Sequence, residues 1–170
     1  MKKDSSRNLT GKRQFKKIVV THDGSKLASS VIGPVVELAI AFDAEIVLLQ
    51  VIDTLLQIRS RSIPPTPYMN LQSSLVVEQI AKDERKMAER NLSVLKKTLE
   101  KSGLLKVETK IVEGFASEEI TAFSKKVNAD LIVMATHGRS GLGRVVIGSV
   151  AESVLRHSPC PVLLIRPHAK

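Results

Sequence analysis

The chain reads as an α/β protein: a single doubly wound parallel sheet of five strands with helices on both faces. Three observations predict it. Short apolar segments of strand type alternate with longer amphipathic ones from residue 17 to residue 165. Strands separated by crossover helices pair in parallel, with right-handed connections. The segments Glu45–Val51, Leu131–Ala135 and Val162–Ile165 are largely apolar and do not alternate, as expected of strands covered on both faces. A loop containing Gly138, Gly141, Gly143 and Gly148 leads from one of these strands into a helix, and such a loop is where parallel sheets hold phosphates.

Taken in order, Lys17–Thr21 is the first strand. Leu27–Phe42 is a helix, with Asp23 or Ser25 as its cap and Pro34 as a point where it bends. Glu45–Val51 is the second strand. Leu75–Ser102 is a long helix, because Ile80, Ala81, Met87, Ala88, Leu92, Leu95 and Leu99 fall near helical spacing, and Gly103 ends it. Leu105–Val112 is the third strand. Ser117–Val127 is a helix whose first turn carries Glu118 and Glu119, which suit its dipole. Leu131–Ala135 is the fourth strand and Val162–Ile165 the fifth. The helix between them starts at Ser149, where Ser149 and Glu152 have capping-box spacing, and stops before Pro159. Its first amides, those of Gly148, Ser149 and Val150, are placed to meet an anion. His157 falls in the last turn, where a cation suits the dipole.

Residues 53–74 are long for a strand-to-helix connection. With Pro64, Pro65, Pro67, Arg59 and Arg61, this stretch is either a lid over a ligand or a variable surface excursion.

The composition, with 43% apolar residues in 170, suits one domain with a sizeable core. Aromatic residues are 3% and Trp is absent, which argues against stacking surfaces for single-stranded nucleic acid. Cys160 is the sole cysteine, so no intramolecular disulfide forms; between two prolines it reads as structural. No apolar run approaches the roughly 20 residues of a membrane span, and the N-terminus lacks the apolar stretch of a signal peptide. A cytoplasmic location is expected. Of the net charge of +9, residues 1–17 carry +6. Residues 1–15 are therefore expected to be a disordered basic tail, and 16–168 the folded domain. The tail either solubilises the chain or makes weak contact with nucleic acid, anionic lipid or an acidic partner.

His137-Gly138, nine residues, then Gly148-Ser149 resemble the G-x-x-G-x(9)-G-[ST] signature of the universal stress protein family. Val150-Ala151-Glu152, Ser158-Pro159-Cys160-Pro161-Val162 and the opening Lys17 to Ser25 are similar to family members too, so the resemblance spans about residues 16–167. Two positions depart from the pattern. Ala135 stands where the signature has its first glycine, and His22 where the family often has a small hydroxyl residue.

The resemblance implies the adenine nucleotide alpha-hydrolase-like fold with strand order 3-2-1-4-5. Its ligand crevice then lies between strands one and four, at the carboxyl ends of the strands. It also implies ATP as ligand, with Mg²⁺ or Mn²⁺. Thr21, His22 and Asp23 would form one wall. Asp23, Val51 and Met134 would surround adenine and ribose. Ala135, Gly138, Gly148, Ser149 and Val150 would belong to the phosphate side. A homodimer through Val162–Ile165 is implied as well.

No lysine precedes Ser149 as a P-loop would require, and there are no paired cysteines, zinc-protease motif or nucleophile elbow. The expected function is thus a nucleotide-binding regulatory protein of stress responses, with at most slow ATP hydrolysis. The alternative is an interaction module that has lost the nucleotide through Ala135 and His22. A phosphoacceptor response regulator would need an aspartate ending strand three, where this chain has Ile111-Val112-Glu113-Gly114.

Overall fold

The structure is a computed structural model, and it describes residues 15–25, 28–62, 71–136 and 147–166. Five strands form one sheet: β1 Lys17–Thr21, β2 Glu45–Ile52, β3 Val107–Glu113, β4 Leu131–Ala135 and β5 Val162–Ile165. Every pairing is parallel and the order is β3-β2-β1-β4-β5, the order the family resemblance implies. The helices are α1 Ile32–Phe42, α2 Leu55–Ser62, α3 Leu71–Lys101, α4 Ala116–Lys126 and α5 Ser149–His157.

The pleat divides the core in two. Ile18, Val20, Ile46, Leu48 and Val133 point to one face, where they meet Val35 and Ala39 of α1 and Leu92, Leu95 and Leu99 of α3. Val19, Val47, Leu49, Ile132 and Met134 point to the other, where they meet Ile120 of α4 and Ala151 and Val154 of α5. Burial on both faces explains the unbroken apolar runs of the three central strands. β5 differs: all four of its residues are only half-buried, as suits its place at the sheet edge.

Several element boundaries differ from expectation. The segment after β1 does not enter an α-helix directly. A 3-10 turn, Ala28–Val31, comes first, and Ser25 Oγ accepts the N–H of Ala28 at 3.1 Å. Because α1 begins only at Ile32, Pro34 sits in its first turn. First-turn N–H groups have no partner within the α-helix, so the missing N–H of proline is tolerated there. The helix ends on Asp43 in the left-handed region, φ 47°, with its N–H on the carbonyls of Ala39 and Ile40.

The stretch 53–74 holds helix rather than one long loop. Thr54 opens α2 with a reciprocal cap: Thr54 N–H donates to Gln57 Oε1 at 2.8 Å and Gln57 N–H to Thr54 Oγ1 at 3.3 Å. α3 begins four residues earlier than its apolar spacing suggested. The proline run of the anticipated lid, within 63–70, lies outside the described residues. Phe15, assigned by sequence to the tail, packs edge-on against Phe42 with ring centroids 5.1 Å apart, so the fold includes it.

Candidate functional site

Parallel pairing in this order brings the ends of β1 and β4 together, and the chain leaves them in opposite directions, toward α1 and toward α5. A crevice must open between the two departing loops. The structure has a cavity of about 330 Å³ there. Thr21, His22 and Asp23 line it from β1, Val51 and Asp53 from β2, Met134, Ala135 and Thr136 from β4, and Gly148, Ser149 and Val150 from the start of α5. Nine of the ten residues singled out by sequence thus line one cavity; the tenth, Gly138, lies outside the described residues.

The wall from β1 is built by local hydrogen bonds. His22 N–H donates to Leu49 O at 2.9 Å, which extends the sheet by one residue. Gly24 N–H donates to His22 Nδ1 at 2.9 Å, and Ser25 N–H to Asp23 Oδ1 at 3.0 Å. An acceptor role for Nδ1 puts the proton of the neutral ring on Nε2, which faces Ser29 Oγ at 3.3 Å. His22 is 6% exposed. Burial holds its pKa below the usual 6.5, and the neighbouring Asp23 opposes that only in part. Gly24 turns the chain at φ +84°, a region L side chains avoid.

The wall from α5 corrects one expectation. Ser149 is the first helical residue rather than the cap. The cap is Gly148, and no side-chain cap bond forms. Gly148 is pinned by its N–H to Thr136 O at 2.8 Å, so this amide, expected to meet an anion, is instead committed within the protein; its own carbonyl accepts the N–H of Glu152, and the Glu152 carboxylate turns outward to Arg156 at 2.7 Å. Capping-box spacing is present, but Glu152 is engaged elsewhere. The exposed Ser149 side chain is left on the cavity wall, beside a helix start not covered by a side chain of its own.

Sequence reasoning missed Asp53, Thr136 and Ala116, which also line the cavity. Asp53 stood one residue past a strand end, on the carboxyl edge where ligands bind, and that was a usable signal. Two carboxylates, Asp23 and Asp53, therefore face the cavity, and among the described residues no cluster of three or more metal-ligating side chains exists.

A doubly wound parallel sheet with a crevice at its switch point, closed on one side by a helix start, defines a class of α/β proteins. Within it, the profile of the Universal stress protein family matches residues 14–166, and the chain belongs to that family. It is 34% identical to Universal stress protein MJ0531 of Methanocaldococcus jannaschii over 160 residues, 94% of this chain and 87% of the relative. Among solved structures, it is 28% identical to the hypothetical protein MJ0577, with a TM-score of 0.75 over 92% of this chain and 99% of that one. It also shares its fold, at 19% identity and a TM-score of 0.62, with a universal stress protein family protein of Arabidopsis thaliana solved with AMP bound. That match covers 91% of this chain and 93% of the other.

Proposed function

We propose that this protein binds an adenine nucleotide, ATP with Mg²⁺ or Mn²⁺, in the cavity between β1 and β4, and acts in the cytoplasm as a regulatory factor of stress responses. The observation that carries the reading is the convergence of the Thr21–Asp23 and Gly148–Val150 segments on one cavity of about 330 Å³. That volume lies within the range of small-molecule sites. Its inner wall, with Val51 and Met134, is apolar enough for a base. Its α5 wall offers backbone N–H groups and the positive end of a helix dipole to phosphates. The AMP held by the Arabidopsis relative supports the ligand class.

Calorimetry with ATP and Mg²⁺ tests the reading. Gly148 has φ −61°, so its backbone suits any residue. A Cβ there would stand 3.2 Å from Thr136 O, on a segment that lines the cavity. Gly148→Val should leave the circular dichroism spectrum unchanged and weaken ATP binding roughly ten- to a hundredfold, the effect of one lost backbone contact to a charged phosphate. Ala135→Gly should bind as well as the wild type or better. A wild type that ignores millimolar ATP beside an Ala135→Gly variant that binds it would indicate an interaction module instead. Equal affinity in wild type and Gly148→Val would remove the phosphates from this wall.

A further inference from the structure

We infer that His22 is a positioning residue, whose uncharged imidazole braces the Asp23–Ser25 turn so that the cavity keeps its ligand-binding shape only while the ring is neutral. The inference rests on the nucleotide reading of the same cavity and adds a pH dependence to it.

The ring lines the cavity, yet both its nitrogens are committed within the protein. Nδ1 accepts the Gly24 N–H at 2.9 Å and Nε2 faces Ser29 Oγ at 3.3 Å. These contacts begin a chain of local bonds. Gly24 is tied to His22, Ser25 to Asp23 and Ala28 to Ser25, which together hook β1 onto the 3-10 turn. Asp23, on the cavity wall, sits in the middle of this chain.

Protonation would place an N–H on Nδ1, aimed at the N–H of Gly24, a donor against a donor. The turn must then open, and Asp23 moves with it. Asp23 is the charged group acting on the ring, and Asp53 is the second carboxylate on the cavity wall. The 3-10 turn presents Ser29, β2 the carbonyl of Leu49 and α3, beside Gly24, the amide of Asn91; none of these titrates. Burial lowers the ring's pKa from 6.5, so the response belongs to mildly acidic conditions.

The sign of the pH effect separates bracing from direct contact. A ring that touched phosphate would tighten binding as it gained charge. A bracing ring loosens binding as it gains charge. His22→Asn is the conservative variant, because an Asn oxygen accepts the N–H two residues on and does not titrate. His22→Leu removes the acceptor.

The experiment is calorimetry of Mg-ATP binding to wild type and both variants, from about pH 7.5 to about pH 5. Each affinity is divided by that of His22→Asn, so that the ligand's own protonation cancels. Wild type should equal His22→Asn at the upper end and fall about tenfold below it at the lower end, while His22→Leu is about tenfold weak throughout. Relative tightening of the wild type on acidification, or wild-type affinity in His22→Leu, would overturn the inference. NMR of the ligand-free protein keeps the two readings apart. Nδ1 should be unprotonated near neutral pH, and Gly24 amide exchange should lose protection on acidification relative to His22→Asn. If no nucleotide binds, the ligand assignment fails while Gly24 protection still reports on the brace; protection that does not respond to pH refutes it.

Discussion

Gly148 lines the cavity and Gly24 follows Asp23 of the facing wall, and the two are glycine for different reasons. At Gly148 the backbone is ordinary and the constraint is space, since a Cβ would press on Thr136 O. At Gly24 the backbone itself is unusual, with φ +84°, and a Cβ would also come within 2.8 Å of Asn91 Nδ2. Gly24→Ala should therefore destabilise the domain by about 1–2 kcal/mol, mostly through backbone strain. A thermal melt should show a fall of about 2–8 °C; an unchanged melting temperature would mean the turn relaxes to negative φ. The sequence contained both glycines, but only Gly148 belonged to a spaced pattern. The need for positive φ at Gly24 arises from the His22 and Asp23 bonds around it, which no spacing rule encodes. Ser149 teaches the converse. Its spacing to Glu152 matched a capping box that does not form, while Thr54 and Gln57, with the same spacing, went unread and form one.

At the scale of elements, the strands were the most legible part of the chain. β1 and β4 match their expected limits, because a two-faced burial pattern ends abruptly where the sheet ends, and the apolar run of β5 matches its limits too. Helix starts were less legible. The start of α3 at Leu71 lies beyond the apolar spacing that marks its buried face, and the 3-10 turn before α1 depends on Ser25 rather than on periodicity. One contact between elements was invisible in sequence. The Asp130 carboxylate, just before β4, accepts the N–H groups of Lys16 and Lys17 at 3.0 and 2.9 Å and so clamps the start of β1 to that of β4. These strands carry the two walls of the cavity. Asp130→Ala should cost about 1–3 kcal/mol, since two backbone donors lose a charged acceptor. Urea titration checks this, and a loss below a few tenths of a kcal/mol would show that solvent replaces the carboxylate without penalty.

For the whole molecule, the two sheet edges are finished in contrasting ways. β3 alternates, and its exposed Glu108 and Lys110 pair at 3.7 Å, so charged side chains guard that edge. β5 reads Val-Leu-Leu-Ile and has no charge. Ile132 N–H donates to Pro161 O and Thr136 N–H to Ile165 O, so alternate residues of the β5 segment bond inward to β4. By the alternation of a parallel ladder, the backbone groups of Val162 and Leu164 face outward. An apolar edge with outward-facing backbone groups suits pairing with a second copy about a twofold axis, which is the assembly we propose. Sedimentation at roughly tens of micromolar should then give a dimer. Val162→Pro removes one outward N–H at the first residue of the strand, where proline is tolerated. By symmetry it removes two hydrogen bonds from the interface, so dimerisation should weaken at least about tenfold while the circular dichroism spectrum is retained. Wild-type monomer at that concentration, or a Val162→Pro variant that dimerises as well as the wild type, would place any assembly on another surface.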